Sequence, residues 1–340
     1  MADIQESRSE RFRRRIVTIP RSVLLFVVLT VAAPAVAALA ALVDAIRFAL
    51  FGKPAMALRM VAFAWVYLAA ELWGITRFFG QWVAAGFGAR QRWMVDRGWA
   101  VQCQWASTLL GAVQRLFDLD LRVVGLENAA PGPIIAMFRH ASIIDNLLPA
   151  VLLTDQAGIK LRWIIKKELL GQPALDVGGN RLPNYFVDRD SKDPRGELRR
   201  IKAMTVGLRE DEGVLIFPEG TRFSEERRAR ALERLAASDP AMHAAASRLR
   251  NVMPPRLGGV LTLLDSGADV VVCAHEGLGG FATLRDIWSG SLVGRTVRIE
   301  LWRIAASDIP KARQERVAWL LETWQHVDDW IESAGDPPGA

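Results

Sequence analysis

Val214-Leu-Ile-Phe217 running straight into Pro218-Glu-Gly-Thr-Arg222 sets the architecture. A short, unbroken apolar run suits a strand buried on both faces, and the polar turn behind it leads into Ser224-Glu-Glu-Arg227, a helix N-terminus. An earlier stretch repeats the plan. Pro133-Ile-Ile-Ala-Met-Phe138 reads as a strand and is followed by His140-Ala-Ser-Ile-Ile-Asp145 and an apolar helix over 146–153 with Pro149 near its start. Further apolar runs at 121–126, 161–165, 185–188, 269–274 and 296–303 are candidate strands, with helical patterns between most of them. One helix is well marked: Asp193 can cap it, Pro194 fits its first position, and apolar residues at 198, 201, 204 and 208 share one face. Another spans 91–117. Strands alternating with helices predict an α/β fold, a mixed central β-sheet covered by helices on both faces.

Reactive side chains just past buried strands are where such folds do chemistry. His140 with Asp145 offers a general base and a carboxylate to orient it. On one continuous helix five residues separate two side chains by about 140°, so the pair meets only if His140 precedes the helix and Asp145 lies in its first turn. Gly220 lets backbone N–H groups approach an anion, and Arg222 offers a fork of donors suited to phosphate. Competing chemistries lack their motifs. There is no Gly-x-Ser-x-Gly for a serine hydrolase, and Gly178-Gly-Asn-Arg181 lacks the Gly-Lys-Ser/Thr of a phosphate loop. His275-Glu276 is followed by Gly279 rather than a second His, so no metal site is expected. A base without a nucleophile motif suggests direct transfer onto a substrate hydroxyl.

From Leu121 to Val272 the chain resembles the lysophosphatidic acid (1-acylglycerol-3-phosphate) acyltransferase family of glycerolipid acyltransferases. Leu121-Arg-Val-Val-Gly-Leu-Glu127 is similar to the strand before its catalytic block, and His140 with Asp145 match its His-x-x-x-x-Asp. Lys166-Lys-Glu-Leu-Leu170, Pro173 and Tyr185-Phe-Val-Asp-Arg189 resemble its second block, and Phe217 to Arg222 match its third in full. Three departures stand out. Arg139 replaces the usual Asn before the His, Ile144 and Asn146 stand where an aromatic is common, and Cys273 sits where a strand proline is expected. Pro254-Pro-Arg-Leu-Gly-Gly259 is similar to a Pro-Arg-x-x-Gly segment of one branch.

The resemblance implies transfer of a fatty acyl group from an acyl thioester to the free hydroxyl of a lysophospholipid, with 1-acylglycerol-3-phosphate the first candidate acceptor. It gives His140 and Asp145 the catalytic roles. Glu219, Gly220, Thr221, Arg222, Arg189, Lys166 and Lys167 become substrate-binding candidates. No cofactor is implied, only acyl-CoA or acyl carrier protein as donor. Another lysolipid acceptor, or a catalytically silent lipid-binding protein on the same fold, is the alternative.

The ends of the chain differ from its middle. Ser22 to Val43 holds no charged residue for 22 positions, about the length that crosses a hydrocarbon core. Residues 60–89 form a second apolar stretch interrupted by Glu71 and Arg77. The expected organisation is a basic tail over 1–21, a membrane-attaching two-helix hairpin over 22–90 and an acyltransferase domain over 91–335. Ala35-Val-Ala37 could be a signal-peptide cleavage site, but a long polar lead is unusual for a signal. Arginines before and after the hairpin favour both ends in the cytoplasm, placing the protein on the inner membrane. Pro34, Glu71 and Arg77 leave open a pair that never fully crosses. Six tryptophans between Trp65 and Trp105 suit a headgroup region. The net charge of +6 suits an anionic membrane and anionic substrates. Nucleic acid is not expected, because neither zinc-finger spacing nor a basic aromatic strand repeat is present. Two cysteines, Cys103 and Cys273, both in apolar surroundings, make no disulfide framework.

Overall fold

The computed structural model of the chain describes residues 6–188 and 191–335. Its helices are α1 (Arg8–Val31), α2 (Ala33–Phe51), α3 (Ala57–Ala84), α4 (Gln91–Phe117), α5 (Pro173–Gly179), α6 (Pro194–Ala203), α7 (Glu225–Ser238), α8 (Pro240–Ala246), α9 (Leu257–Leu264), α10 (Leu284–Ser289) and α11 (Arg313–Gly335). Its strands are β1 (Asp120–Val124), β2 (Ile134–Phe138), β3 (Lys160–Lys166), β4 (Tyr185–Val187), β5 (Glu212–Ile216), β6 (Asp269–Glu276) and β7 (Thr296–Ile304).

The seven strands form one sheet in the order β1-β7-β6-β2-β5-β3-β4. From β6 to β4 every neighbouring pair is parallel, while β7 runs antiparallel to β6 and parallel to β1. The sheet is therefore mixed, as its patterning predicted. The parallel strands are apolar on both faces because helices cover both. On β2, Ile134, Ala136 and Phe138 face α4 through Leu109, Leu110, Val113 and Phe117. Ile135 and Met137 face the opposite layer, with Ile201 of α6, Val260 and Leu264 of α9, and Leu320 and Trp324 of α11.

Parallelism has a functional consequence. The C-terminal ends of β2, β5, β3 and β4 open onto one edge, so the segments at 139–145, 217–222 and 166–167 and residue 188 emerge side by side. From β2 the chain goes to β3 and β4, returns to insert β5 beside β2, then places β6 on the other flank of β2. Ligand crevices of open α/β sheets form where the strand order reverses in this way.

The N-terminal region departs in detail from the expected boundaries. The 22-residue uncharged run is not one helix, because it is divided at Ala32, ahead of Pro34 in the first turn of α2. Nor do residues 8–21 form a separate tail, since they belong to α1. A capping box, with Ser7 accepting from the Glu10 N–H and Glu10 accepting from the Ser7 N–H, starts α1 at Arg8. The first arm of the hairpin is thus α1 and α2 in succession, and α3 runs back along both. Asp44 fixes the return: its carboxylate accepts the N–H groups of Met56, Ala57 and Leu58, each at 2.9 Å.

Both ends of this hairpin are tied to the domain that follows. Arg14 and Arg15 of α1 pair with Asp176 of α5 at 2.8 and 3.0 Å. At the far end Arg47 of α2 lies over the Trp288 ring, 3.9 Å from its centroid, and donates to the Trp288 carbonyl at 2.8 Å. Met56 in the connecting loop is buried in the core, and α3 packs along α4 and α5. The helices α2 and α3 are long and apolar enough to cross a membrane, by length and composition. Of the six tryptophans, Trp65, Trp73 and Trp93 are exposed, whereas Trp99 is a core residue donating to the Leu161 carbonyl.

Candidate active site

His140 stands two residues beyond β2, and the chain reverses there into a short 3-10 turn at Ile144–Asn146. The turn brings Asp145 back under the histidine, so Asp145 Oδ2 lies 3.2 Å from His140 Nδ1. The first-turn placement required by the five-residue spacing is met. Beyond it the backbone widens into a π-helical segment over Ala150–Gln156 instead of the regular helix expected.

Asp145 is fully buried and its oxygens are saturated with donors. Oδ2 accepts the N–H groups of Ala141 at 2.5 Å and Ser142 at 2.7 Å, and Oδ1 accepts the Ser142 hydroxyl at 2.5 Å. His275 Nε2 of β6 lies 3.5 Å from Oδ1. Burial alone would raise the carboxyl's pKa, but His275, the hydrogen bond and charge of His140, and the Ser142 hydroxyl together hold it far below the usual range. Asp145 is thus a permanent carboxylate. Ser142 is buried, donates to Asp145 and accepts the Ile144 N–H at 3.0 Å, so its hydroxyl is a strut and not a nucleophile.

His140 is 13% exposed at its side chain and rests against the Phe217 ring, centroids 4.6 Å apart. With Nδ1 turned to Asp145, Nε2 has no partner among the described residues. The Phe217–Arg222 turn wraps the histidine from β5. Glu219 Oε1 accepts the His140 N–H at 2.6 Å, Oε2 accepts the Met253 N–H at 2.8 Å, and the Phe223 N–H donates to the His140 carbonyl at 2.8 Å. Burial pushes Glu219 up to about 8 against the pull of these two N–H groups and Arg139. Both oxygens point at backbone, and the side chain is buried. The geometry makes Glu219 a tie between three segments, where the sequence suggested a group that orients the acceptor or the arginines.

Gly220 has φ +65, and a Cβ there would meet the Arg256 side chain at 2.7 Å, so both backbone and space call for glycine. Its N–H donates to the Phe217 carbonyl at 2.9 Å, which removes it as a donor to substrate. The Thr221 N–H has no such internal partner among the described residues. Arg222 is half-buried with no carboxylate within ion-pair distance among the described residues. Burial and then Arg227 push its pKa down, while Asp145 pulls it up.

The remaining basic candidates stand further along the same edge. Adjacent strands are about 4.8 Å apart, so the end of β3 lies roughly 10 Å from the end of β2, with the β5 turn between. Lys166 ends β3, and Lys167 just beyond it pairs with Asp188 at 3.5 Å. Lys167 and Asp188 help line a cavity of about 300 Å³ with Tyr185, Glu197 and Arg200, to one side of His140. Arg189 lies outside the described residues.

Two residues emerge that the sequence reading passed over. Arg139 is fully buried directly before the histidine and donates to the carbonyls of His275 and of Asn251, the latter at 2.9 Å. His275 is fully buried on β6 beneath Asp145. Arg139 could be noticed only as a departure, and His275 was weighed only as a zinc ligand. No group of three or more metal-ligating side chains occurs among the described residues.

Comparisons with known proteins agree with the geometry. Residues 120–275 match the family model described as Acyltransferase. A lysocardiolipin acyltransferase 1 of Danio rerio is 22% identical over 249 residues, 71% of this chain and 61% of that protein. A probable 1-acyl-sn-glycerol-3-phosphate acyltransferase 5 of Arabidopsis thaliana is 22% identical over 174 residues, 50% of this chain and 45% of that protein. The chain thus spans less than two thirds of the length of these two curated relatives. Among solved structures, the 1-acyl-sn-glycerophosphate acyltransferase of Thermotoga maritima shares the fold, with a TM-score of 0.51 and 15% identity, over 83% of this chain and 100% of that one. The matched stretch is the part of the chain that carries His140, Asp145 and the Phe217–Arg222 turn, and it is similar to the acyltransferase family there.

Proposed function

We propose that this chain transfers a fatty acyl group from an acyl thioester to the free hydroxyl of an anionic lysophospholipid, with 1-acylglycerol-3-phosphate as acceptor and phosphatidic acid as product. The observation that carries the reading is the His140 Nδ1 to Asp145 Oδ2 contact of 3.2 Å, with Nε2 left open and the Ser142 hydroxyl engaged by Asp145. His140 Nε2 takes the proton of the acceptor hydroxyl, and Asp145 balances the imidazolium. The acceptor oxygen attacks the thioester carbonyl carbon, with the Thr221 N–H available to the developing oxyanion. As the C–S bond breaks, the departing thiolate takes the proton from His140, so no acyl-enzyme is needed. Arg222, on the turn that wraps His140, binds the acceptor phosphate, with Lys166 and Lys167 further out along the edge and Arg189 a further candidate by its place in the matched block.

The apolar outer faces of α1 and α2, with Leu24, Val28, Leu39, Leu42, Ile46 and Phe48 exposed, attach the domain to the cytoplasmic face of an inner membrane. The match to a lysocardiolipin acyltransferase favours a second reading with a larger anionic lysophospholipid as acceptor. The test is to incubate the purified protein with acyl-CoA or acyl carrier protein thioesters and a panel of lysolipids, reading products by mass spectrometry. Formation of phosphatidic acid that is lost in His140→Ala supports the reading. No transfer to any lysolipid, or transfer unchanged by His140→Ala, overturns it.

A further inference from the structure

The pair Arg139 and His275 is built unlike an ordinary core contact. The Arg139 guanidinium donates to the His275 carbonyl through Nη1, while His275 Nε2 lies 3.2 Å from the Arg139 carbonyl. Each side chain thus bonds the other's backbone. The exchange adds to the Arg139 N–H bond to the Cys273 carbonyl at 3.0 Å and carries the pairing of β2 with β6 past the strand end. The next residue along is His140. The same His275 nitrogen also faces Asp145 Oδ1 at 3.5 Å, so one N–H touches both the backbone before the base and the carboxylate beneath it.

Holding this arrangement is costly. The Arg139 and His275 side chains are buried, and Arg139 Nε and His275 Nδ1 have no hydrogen-bond partner among the described residues. A buried polar atom without a partner destabilises a fold, and the buried β6 residues before His275, Val270 to Ala274, are apolar, so an aliphatic side chain at 275 would serve packing alone. Burial holds the His275 imidazole down to about 4, so it is neutral, and Nε2 must carry its proton to donate to either oxygen. Arg139 brings a positive charge toward Asp145 and Glu219, and its second bond, to the Asn251 carbonyl, clamps the segment whose Met253 N–H is held by Glu219.

We propose that Arg139 and His275 are positioning residues, a reciprocal latch that sets the backbone of His140 and the carboxylate of Asp145 in register so that the base keeps its proton on Nδ1 and its Nε2 free. The kinetic part rests on the transfer reading above, while the tautomer of His140 does not. Four variants test it in the full chain: His275→Leu, which removes the donor, His275→Gln, whose amide N–H can replace it, Arg139→Met, and the double variant His275→Leu with Arg139→Met.

Imidazole nitrogen shifts, read by NMR with labelled histidine above the titration of His140, should show the Nδ1–H form in the wild type and in His275→Gln and a mixture of tautomers in His275→Leu. Turnover in His275→Leu should fall by about tenfold or more, with both Michaelis constants within about twofold, because misplacement of the base costs the chemical step and not binding. His275→Gln should recover most of it, and the double variant should lose no more than the larger single loss, as one latch breaks only once. An unchanged tautomer together with turnover within about twofold of wild type in His275→Leu overturns the latch, as does a glutamine variant no better than leucine in both readouts. A wild type that transfers no acyl group counts against the functional reading alone, and the tautomers then decide for or against the latch.

Discussion

At His140 the decisive physics is the contrast between an open Nε2 and a closed Nδ1. Asp145 has four donors around it besides His275, so it cannot swing away, and its charge is permanent in the range where the base works. His140→Ala and Asp145→Asn should each lower turnover by about a hundredfold or more, with folding intact by circular dichroism. A His140 variant that keeps more than about a tenth of wild-type turnover contradicts the assignment. His275 gives a separate, pH-dependent expectation. Its folded value of about 4 lies below the ordinary 6.5, so between those values the unfolded chain holds a proton that the folded chain does not. Stability from this residue is therefore complete above pH 6.5 and declines as pH falls toward 4. The melting temperature of His275→Leu, followed from pH 7 to 4, should show a shallower acid decline than wild type, and parallel curves would show that burial of this imidazole does not govern the decline.

The elements explain which parts of the molecule were legible. The strands were readable because the central ones, β2, β5 and β6, are compact apolar runs and β7 alternates apolar and polar residues, and the parallel ends of β2, β5 and β3 put the predicted blocks on one edge. The α6 cap was readable too, since Asp193 accepts the Gly196 N–H at 2.8 Å as its position before Pro194 suggested. The break at Ala32 and the π-helical stretch after Asp145 were not. An uninterrupted apolar run carries no mark of where a helix changes direction, and the wider i to i+5 bonding has no composition of its own. Contacts distant in sequence, such as Glu219 with Met253 or His275 with Asp145, were equally silent. On the β5 turn, Arg222→Ala should raise the Michaelis constant of a phosphate-bearing acceptor by at least about tenfold and leave that of the donor nearly unchanged, because a charge-assisted fork on phosphate contributes roughly 1.5 to 3 kcal/mol. A rise in the donor constant alone would instead assign Arg222 to the donor's phosphates. At the start of α3, Asp44→Ala releases three buried or half-buried N–H groups. It should cost about 2 kcal/mol, seen as a melting temperature lower by about 3 °C, and an unchanged melting temperature would mean water caps α3 equally well.

For the whole molecule the question is how the helices α1 to α3 meet a bilayer. With 28 residues at about 1.5 Å each, α3 is about 42 Å long, enough to cross a hydrocarbon core of roughly 30 Å. Length alone would allow a crossing hairpin, with the loop between α2 and α3 on the far side. The contacts argue otherwise. That loop carries buried Met56, and a side chain at Gly290 would touch Pro54 at 2.7 Å, so the loop sits on the catalytic domain. The opposite end of the hairpin is held by Arg14 and Arg15 on Asp176 of the same domain. A hairpin fastened at both ends to one domain lies along it and, under the proposed membrane attachment, would offer its exposed apolar side to one membrane surface. The dense donors on Asp145 and the free Nε2 of His140 would then work beside that surface, where lysolipid headgroups reside. Cysteine labelling can read this directly, because the native Cys103 and Cys273 are both buried. In right-side-out and inverted vesicles, Ala55→Cys in the loop and Arg313→Cys at the start of α11 should react with an impermeant maleimide from the same side. Labelling from opposite sides would mean that the hairpin crosses the membrane and that its ties to Asp176 and Trp288 do not hold there together.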